Sequence, residues 1–127
     1  MKELLKLTAL ELGAAIQKGE VSIREATQTA LAAMEEREGE LNCFITQTAD
    51  RALERADALQ ARAKEAKSPL YGVPMALKDN MCTQGVKTTC ASKILYNYVP
   101  SFDAFAYARA MEQGMVLLGK VNMDEFA

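Results

Sequence analysis

The stretch Gly72-Val73-Pro74-Met75-Ala76-Leu77-Lys78-Asp79-Asn80 decides how the chain is organised. Val73 to Leu77 is apolar without alternation, the mark of a strand covered on both faces. Ser68-Pro69, just upstream, closes a region of helical rhythm, because proline disfavours helical geometry in the residue before it. The strand ends on a lysine, an acid and an amide. If its neighbour is parallel, Lys78, Asp79 and Asn80 stand where open α/β sheets gather their ligands.

A lysine in that place has two readings. The ordinary one is a solvated charge paired with Asp79. The other is a general base, which requires enclosure, since an ammonium group has no free lone pair. An amine that starts near ~10.4 needs roughly 4 kcal/mol of bias toward its neutral form to titrate near pH 7. The chain contains no histidine. The commonest general base is therefore missing from it, which makes a lysine-based mechanism more plausible by elimination. Asp79 and Asn80 either orient the loop that follows or simply form the turn after a strand.

Toward the N-terminus, Thr8-Ala9-Leu10-Glu11 has the form of a capping box and predicts a helix that carries Leu12 and Ile16 on one face and ends at Gly19. Ser22-Ile23-Arg24-Glu25 repeats the box. Ile23, Ala26, Ala30 and Met34 continue a second helix up to Gly39. Leu41 to Ile45 reads as a short apolar link. Ala49, Leu53, Ala56, Leu59 and Ala63 then mark a third helix, with alanines small enough to let a neighbour approach closely.

Toward the C-terminus, residues 82–100 are rich in Thr, Ser, Asn and Tyr and read as a long connection, of the kind that is often functional. Ala104, Phe105, Ala108 and Met111 predict a helix ending at Gly114. Met115-Val116-Leu117-Leu118-Gly119 is a second apolar strand. Strand, crossover with a helix, strand is a parallel βαβ unit. Thr88, Thr89 and Ser92 offer either a hydroxyl nucleophile or ordinary turn and loop residues. Gly119-Lys120 lacks the rest of a phosphate loop, and Asn122, Met123, Asp124 and Phe126 fit capping and core packing.

Half of the 127 residues are apolar and the net charge is −2, which suits one folded domain and supplies no field to gather nucleic acid or an anionic membrane. Cys43, Cys82 and Cys90 show no Cys-x-x-Cys spacing, so no zinc site is expected. No apolar run approaches the length of a membrane span.

Taken in order, Gly72 to Asn80, Gly85, Thr88-Thr89-Cys90-Ala91-Ser92, Pro100-Ser101-Phe102-Asp103-Ala104 and Gly119-Lys120-Val121-Asn122-Met123-Asp124-Glu125-Phe126-Ala127 resemble the opening third or less of the amidase signature family. The resemblance implies an α/β fold in which an N-terminal helical region leads into the start of a mixed sheet flanked by helices. Residues 1–127 would be the N-terminal part of one domain, with 1–67 helical and 68–127 opening the α/β core. It implies that Lys78 is the base of a Ser-Ser-Lys triad, with Asp79 and Asn80 as candidates to support it and no metal. In the family both serines lie farther on, in a Gly-Ser-rich segment, so the chain is expected to be an inactive fragment of a longer protein.

Within the family, the leader Leu7-Thr8-Ala9-Leu10-Glu11-Leu12 and the closing segment are most similar to the glutamine-hydrolysing subunits of tRNA-dependent amidotransferases. That implies glutamine as substrate, subunits B and C as partners, and misacylated tRNA reached through the complex. A cytoplasmic location is expected from the polar break in the N-terminus, too early for a signal-peptide core, and from the lack of a membrane-length apolar run. ATP and Mg would be used by the assembly, with no cofactor in this chain. A stand-alone hydrolase of small amides and a short, non-catalytic binding module are the alternatives. Phe105-Ala106-Tyr107 and Gln113-Gly114-Met115 depart from the family pattern.

Overall fold

The computed structural model describes residues 2–127. Helix α1 (Ala9–Lys18) starts on the full Thr8–Glu11 capping box and stops at Gly19 in the left-handed conformation. Helix α2 (Ile23–Leu41) is capped by the Ser22 hydroxyl, which accepts from the Glu25 N–H. The backbone N–H of Ile23 donates to Gln60 at 2.7 Å, so this helix start is closed partly by a side chain of helix α3 (Ala49–Ala61). Gly39 does not end α2. The helix runs on to Leu41, and Asn42 takes the left-handed cap.

The apolar link expected around Leu41 to Ile45 instead holds the start of strand β1 (Phe44–Gln47). Its ladder partner is strand β3 (Val116–Val121), antiparallel to it, a pairing that no local pattern announces. Strand β2 (Pro74–Lys78) pairs with β3 in parallel through the crossover that carries helix α4 (Phe105–Glu112). The sheet order is β1-β3-β2. The fold is therefore the expected mixed sheet flanked by helices, with β3 central and, among the described residues, no strand pairing on either outer edge.

Two cores lie against this sheet. Val116 and Leu118 pack on Ile16, Ile23, Ala26, Ala52 and Ala56 of α1 to α3. Leu117 and Leu77 pack on Tyr107 of α4, with Met75, Met81 and Met111 around them. Tyr107 thus fills the α4-side core, whereas Phe105 is exposed. Arg55 ties the two layers together. Its guanidinium donates to the carbonyls of Met115 at 2.6 Å and Met111 at 2.7 Å, closing the corner between α4 and β3.

The register slips once along the parallel pair. Met75 faces Leu117 but Ala76 faces Gly119, so β3 carries one extra residue at Leu118. The step in β3 exchanges its faces: beyond it, Lys120 lies beside Leu77 on the α4 side instead of following Val116 and Leu118 toward the helices. At Gly119 a Cβ would come within 2.5 Å of the Thr46 carbonyl oxygen and 2.8 Å of the Phe44 ring, so only glycine allows β1 this close to the bulge.

Candidate active site

Lys78 closes β2, paired in register with Val121 at the C-terminal ends of two parallel strands. Leu77 is buried on the α4 side, so alternation turns Lys78 to the opposite face. Its side chain is exposed, and among the described residues its ammonium has no hydrogen-bond or ion-pair partner. The enclosure that a neutral amine needs is therefore not provided by residues 2–127. Asn80 is exposed as well.

Asp79 behaves otherwise. It is 0% exposed. One carboxylate oxygen accepts from the Thr89 N–H at 2.9 Å and from the Thr89 hydroxyl at 2.5 Å. The other lies 3.3 Å from the ammonium of Lys120, with no donor aligned on it as a hydrogen bond. The main chain of Asp79 is held on both sides: its N–H donates to Val121 and its carbonyl accepts from Cys90. Asp79 is thus a buried anchor of the loop and more than a turn residue.

Lys120 is the residue that sequence reasoning missed. It heads the fully buried side chains by volume at 0% exposure, and donates to the Met81 carbonyl at 2.8 Å and the Thr88 hydroxyl at 2.9 Å. Burial pushes its amine below the usual lysine range, while Asp79 pulls the other way. Asp79 and Lys120 are the only charged side chains among the described residues that are buried. The signal available in the sequence was a lysine in the middle of Leu117-Leu118-Gly119-Lys120-Val121, where a strand buried on both faces tolerates a charge only if it is paired.

Thr88 and Thr89 are consumed by this knot. Ser92 donates to Glu125 at 2.6 Å and accepts from the Ile94 N–H. Phe126, expected to pack in the core, is exposed. Among the described residues no three His, Cys, Asp or Glu side chains gather as metal ligands, and no helix is long and apolar enough to cross a membrane.

An open groove of about 1170 Å³ lies between the β1–α3 junction and the 85–99 loop, lined by Gln47, Arg51, Lys87, Ser92, Tyr96 and Asn122 among others. A smaller apolar slot of about 260 Å³ lies under Leu4, Leu12 and Leu118, with the unpartnered Thr29 hydroxyl in its wall. Lys78 lines neither cavity. Strand-end geometry, rather than an enclosed pocket, is what singles it out.

A lysine at the mouth of a parallel strand pair, followed by a buried acid that pins the next loop, on a mixed sheet sandwiched by helices, is an arrangement with known kin. The chain belongs to the amidase family, whose pattern matches residues 25–127. Solved relatives share its fold. An amidase family protein from Bacillus anthracis superposes with a TM-score of 0.90 at 32% identity over 99% of this chain and 26% of its own. The peptide amidase of Stenotrophomonas maltophilia gives 0.86 at 29% identity over 94% of this chain and 25% of its own.

Sequence relatives are more similar still, and they are glutamyl-tRNA(Gln) amidotransferase A subunits. That of Agathobacter rectalis is 49% identical over 127 residues, covering 98% of this chain and 25% of the relative. That of Thermobifida fusca is 50% identical over 129 residues, covering 100% and 26%. The chain thus spans about a quarter of the length of the curated relatives it matches.

Proposed function

We propose that these residues act as the N-terminal portion of the glutamine-hydrolysing component of a glutamyl-tRNA(Gln) amidotransferase, with Lys78 as the base of a Ser-Ser-Lys triad. The observation that carries the reading is identity near one half, sustained from end to end, to the A subunits of such enzymes. The place of Lys78 at the C-terminal end of β2 supports it chemically.

In this reading Lys78 works as a neutral amine and the rest of the polypeptide encloses it. The amine accepts a proton from the bridging serine as that serine accepts one from the nucleophilic serine. The nucleophile attacks the amide carbon of glutamine, and backbone N–H groups hold the developing oxyanion. The C–N bond then breaks as the stored proton returns to the leaving nitrogen. Ammonia departs, water hydrolyses the glutamyl ester, and the triad is restored. A partner subunit receives the ammonia and amidates glutamate misacylated on tRNA(Gln), and a small third subunit completes the assembly. The partner would supply the ATP and Mg chemistry that activates that glutamate, and no cofactor is assigned to this chain. Such an assembly works in the cytoplasm.

The fold likeness to a peptide amidase favours one other reading, a stand-alone hydrolase of small amides. Both readings need the base. The full-length polypeptide that contains this sequence, prepared with subunits B and C, should lose glutaminase turnover by a factor of about 10²–10⁴ on Lys78→Ala. Full turnover in that variant rules out Lys78 as the base. High turnover of small amides without subunits B and C moves the assignment to the stand-alone hydrolase.

A further inference from the structure

The proton relay proposed above leaves Lys120 unused, although a buried cation needs a reason. An apolar side chain of similar volume is often as stabilising as a buried ion pair or more so. All three polar contacts of Lys120 go to one place, the loop that starts immediately after Lys78. They are the Asp79 carboxylate at 3.3 Å, the Met81 carbonyl at 2.8 Å and the Thr88 hydroxyl at 2.9 Å. None goes to α1, α2 or α3.

We propose that Lys120 is a positioning residue for amide hydrolysis: through Asp79 and the 79–90 loop it fixes the direction in which Lys78 leaves the sheet. The inference rests on the assignment of Lys78 as base. Lys78 has no side-chain partner among the described residues to aim it, so its aim is set by its own backbone. That backbone is clamped just past the side chain, where Asp79 bonds by N–H to Val121 and by carbonyl to Cys90. The charged knot lies on the opposite face, under the same two strand ends, and it reaches that face because of the extra residue at Leu118.

The loop is also over-determined. Cys90 and Ala91 are both held in the left-handed region, at φ 51° and 53°. For residues other than glycine this conformation persists only where the surroundings enforce it. Here the enforcing contacts are the bonds of Asp79 to Thr89 and Cys90, backed by the Lys120 charge. A base displaced by about 1 Å loses on the order of 10²-fold in rate, so small movements of this knot are read directly in turnover.

The test uses the full-length polypeptide with subunits B and C and measures glutaminase kinetics per mole of folded protein. Lys120→Met should lower kcat by about 10–100-fold with KM unchanged, the split expected when alignment is lost and binding is kept. Adding Asp79→Asn to Lys120→Met removes the stranded carboxylate while keeping an acceptor for Thr89, and should restore part of kcat. Thr89→Val is milder and should lower kcat several-fold, again at constant KM.

Wild-type kcat in Lys120→Met and Thr89→Val, with only their melting temperatures lowered, overturns the proposal and makes the knot purely structural. If Lys120→Met yields no folded protein, Thr89→Val decides by the same criterion. Lys78→Ala, assayed in parallel, separates the two ideas. Lost turnover there, beside normal kcat in the knot variants, removes the positioning role and leaves the base. Retained turnover in Lys78→Ala removes both.

Discussion

The helices before Pro69 and the sheet after it enclose different chemistry. In the first region the interior is Ile16, Ile23, Ala26, Ala52 and Ala56, and a buried hydroxyl such as that of Thr27 bonds within its own helix, to the Ile23 carbonyl. In the second, the interior closes over Asp79, Thr83, Thr88, Thr89, Ser92 and Lys120. There the bonds run from one segment to another, from β3 to the loop after β2. An apolar interior constrains volume and tolerates small changes of shape. A buried charged network constrains identity, since each member left without its partner is costly.

The sharpest way to break this contrast is Lys120→Met, which keeps the volume and removes the charge. It leaves the Asp79 carboxylate buried without its cation, and should lower unfolding free energy by roughly 3–5 kcal/mol in denaturant titrations of the full-length protein. A loss below about 1 kcal/mol would mean that volume governs this region too. The effect carries a pH signature. Burial lowers the Lys120 amine from its usual 10.5, so the unfolded chain binds that proton more tightly than the folded one. Wild-type stability should therefore gain on that of the variant as pH rises toward 10.5.

The matching change in the helical region is Ile23→Val. Ile23 is fully buried and packs on the bare Cα of Gly72, where a Cβ would come within 2.6 Å of its side chain. Loss of one methyl group should cost about 0.5–1.5 kcal/mol, read from the same titration. A cost above that of Lys120→Met would invert the comparison.

How far the sequence foretells this molecule follows the same division. The Thr8 box, the Gly19 stop, the Ser22 cap and the alanine face of α3 are local signals, and each produces the element it predicts. The parallel β2–β3 pair is also legible, because two apolar runs joined through a helix have one sensible arrangement. What escapes the sequence depends on partners distant in the chain. β1 reads as a link because its bonds are made to β3. Lys120 reads as part of an incomplete phosphate loop, since its burial depends on a register slip at Leu118 that no residue pattern encodes. Lys78 stands out by its position and its type. Its exposure, by contrast, is not legible, because burial depends on what packs over a strand end.

The smallest effect tests the local end of the comparison. Glu11 closes the capping box of α1: the Thr8 N–H donates to its carboxylate at 2.8 Å, and its own N–H donates to the Thr8 hydroxyl at 3.3 Å. The Thr8 backbone bond, with the Thr8 hydroxyl second, holds the Glu11 carboxyl below its ordinary 4.5. A folded-state value below the unfolded one means that the contribution is complete above about pH 4.5 and fades as pH falls through the folded value. Glu11→Ala should therefore lower the melting temperature slightly at pH 7 and by less at pH 3. Amide exchange should quicken only in the first turn of α1, because a cap acts on the donors next to it. Faster exchange across β3 as well would show that helix start and sheet are coupled, and that the two regions do not separate as cleanly as their interiors suggest.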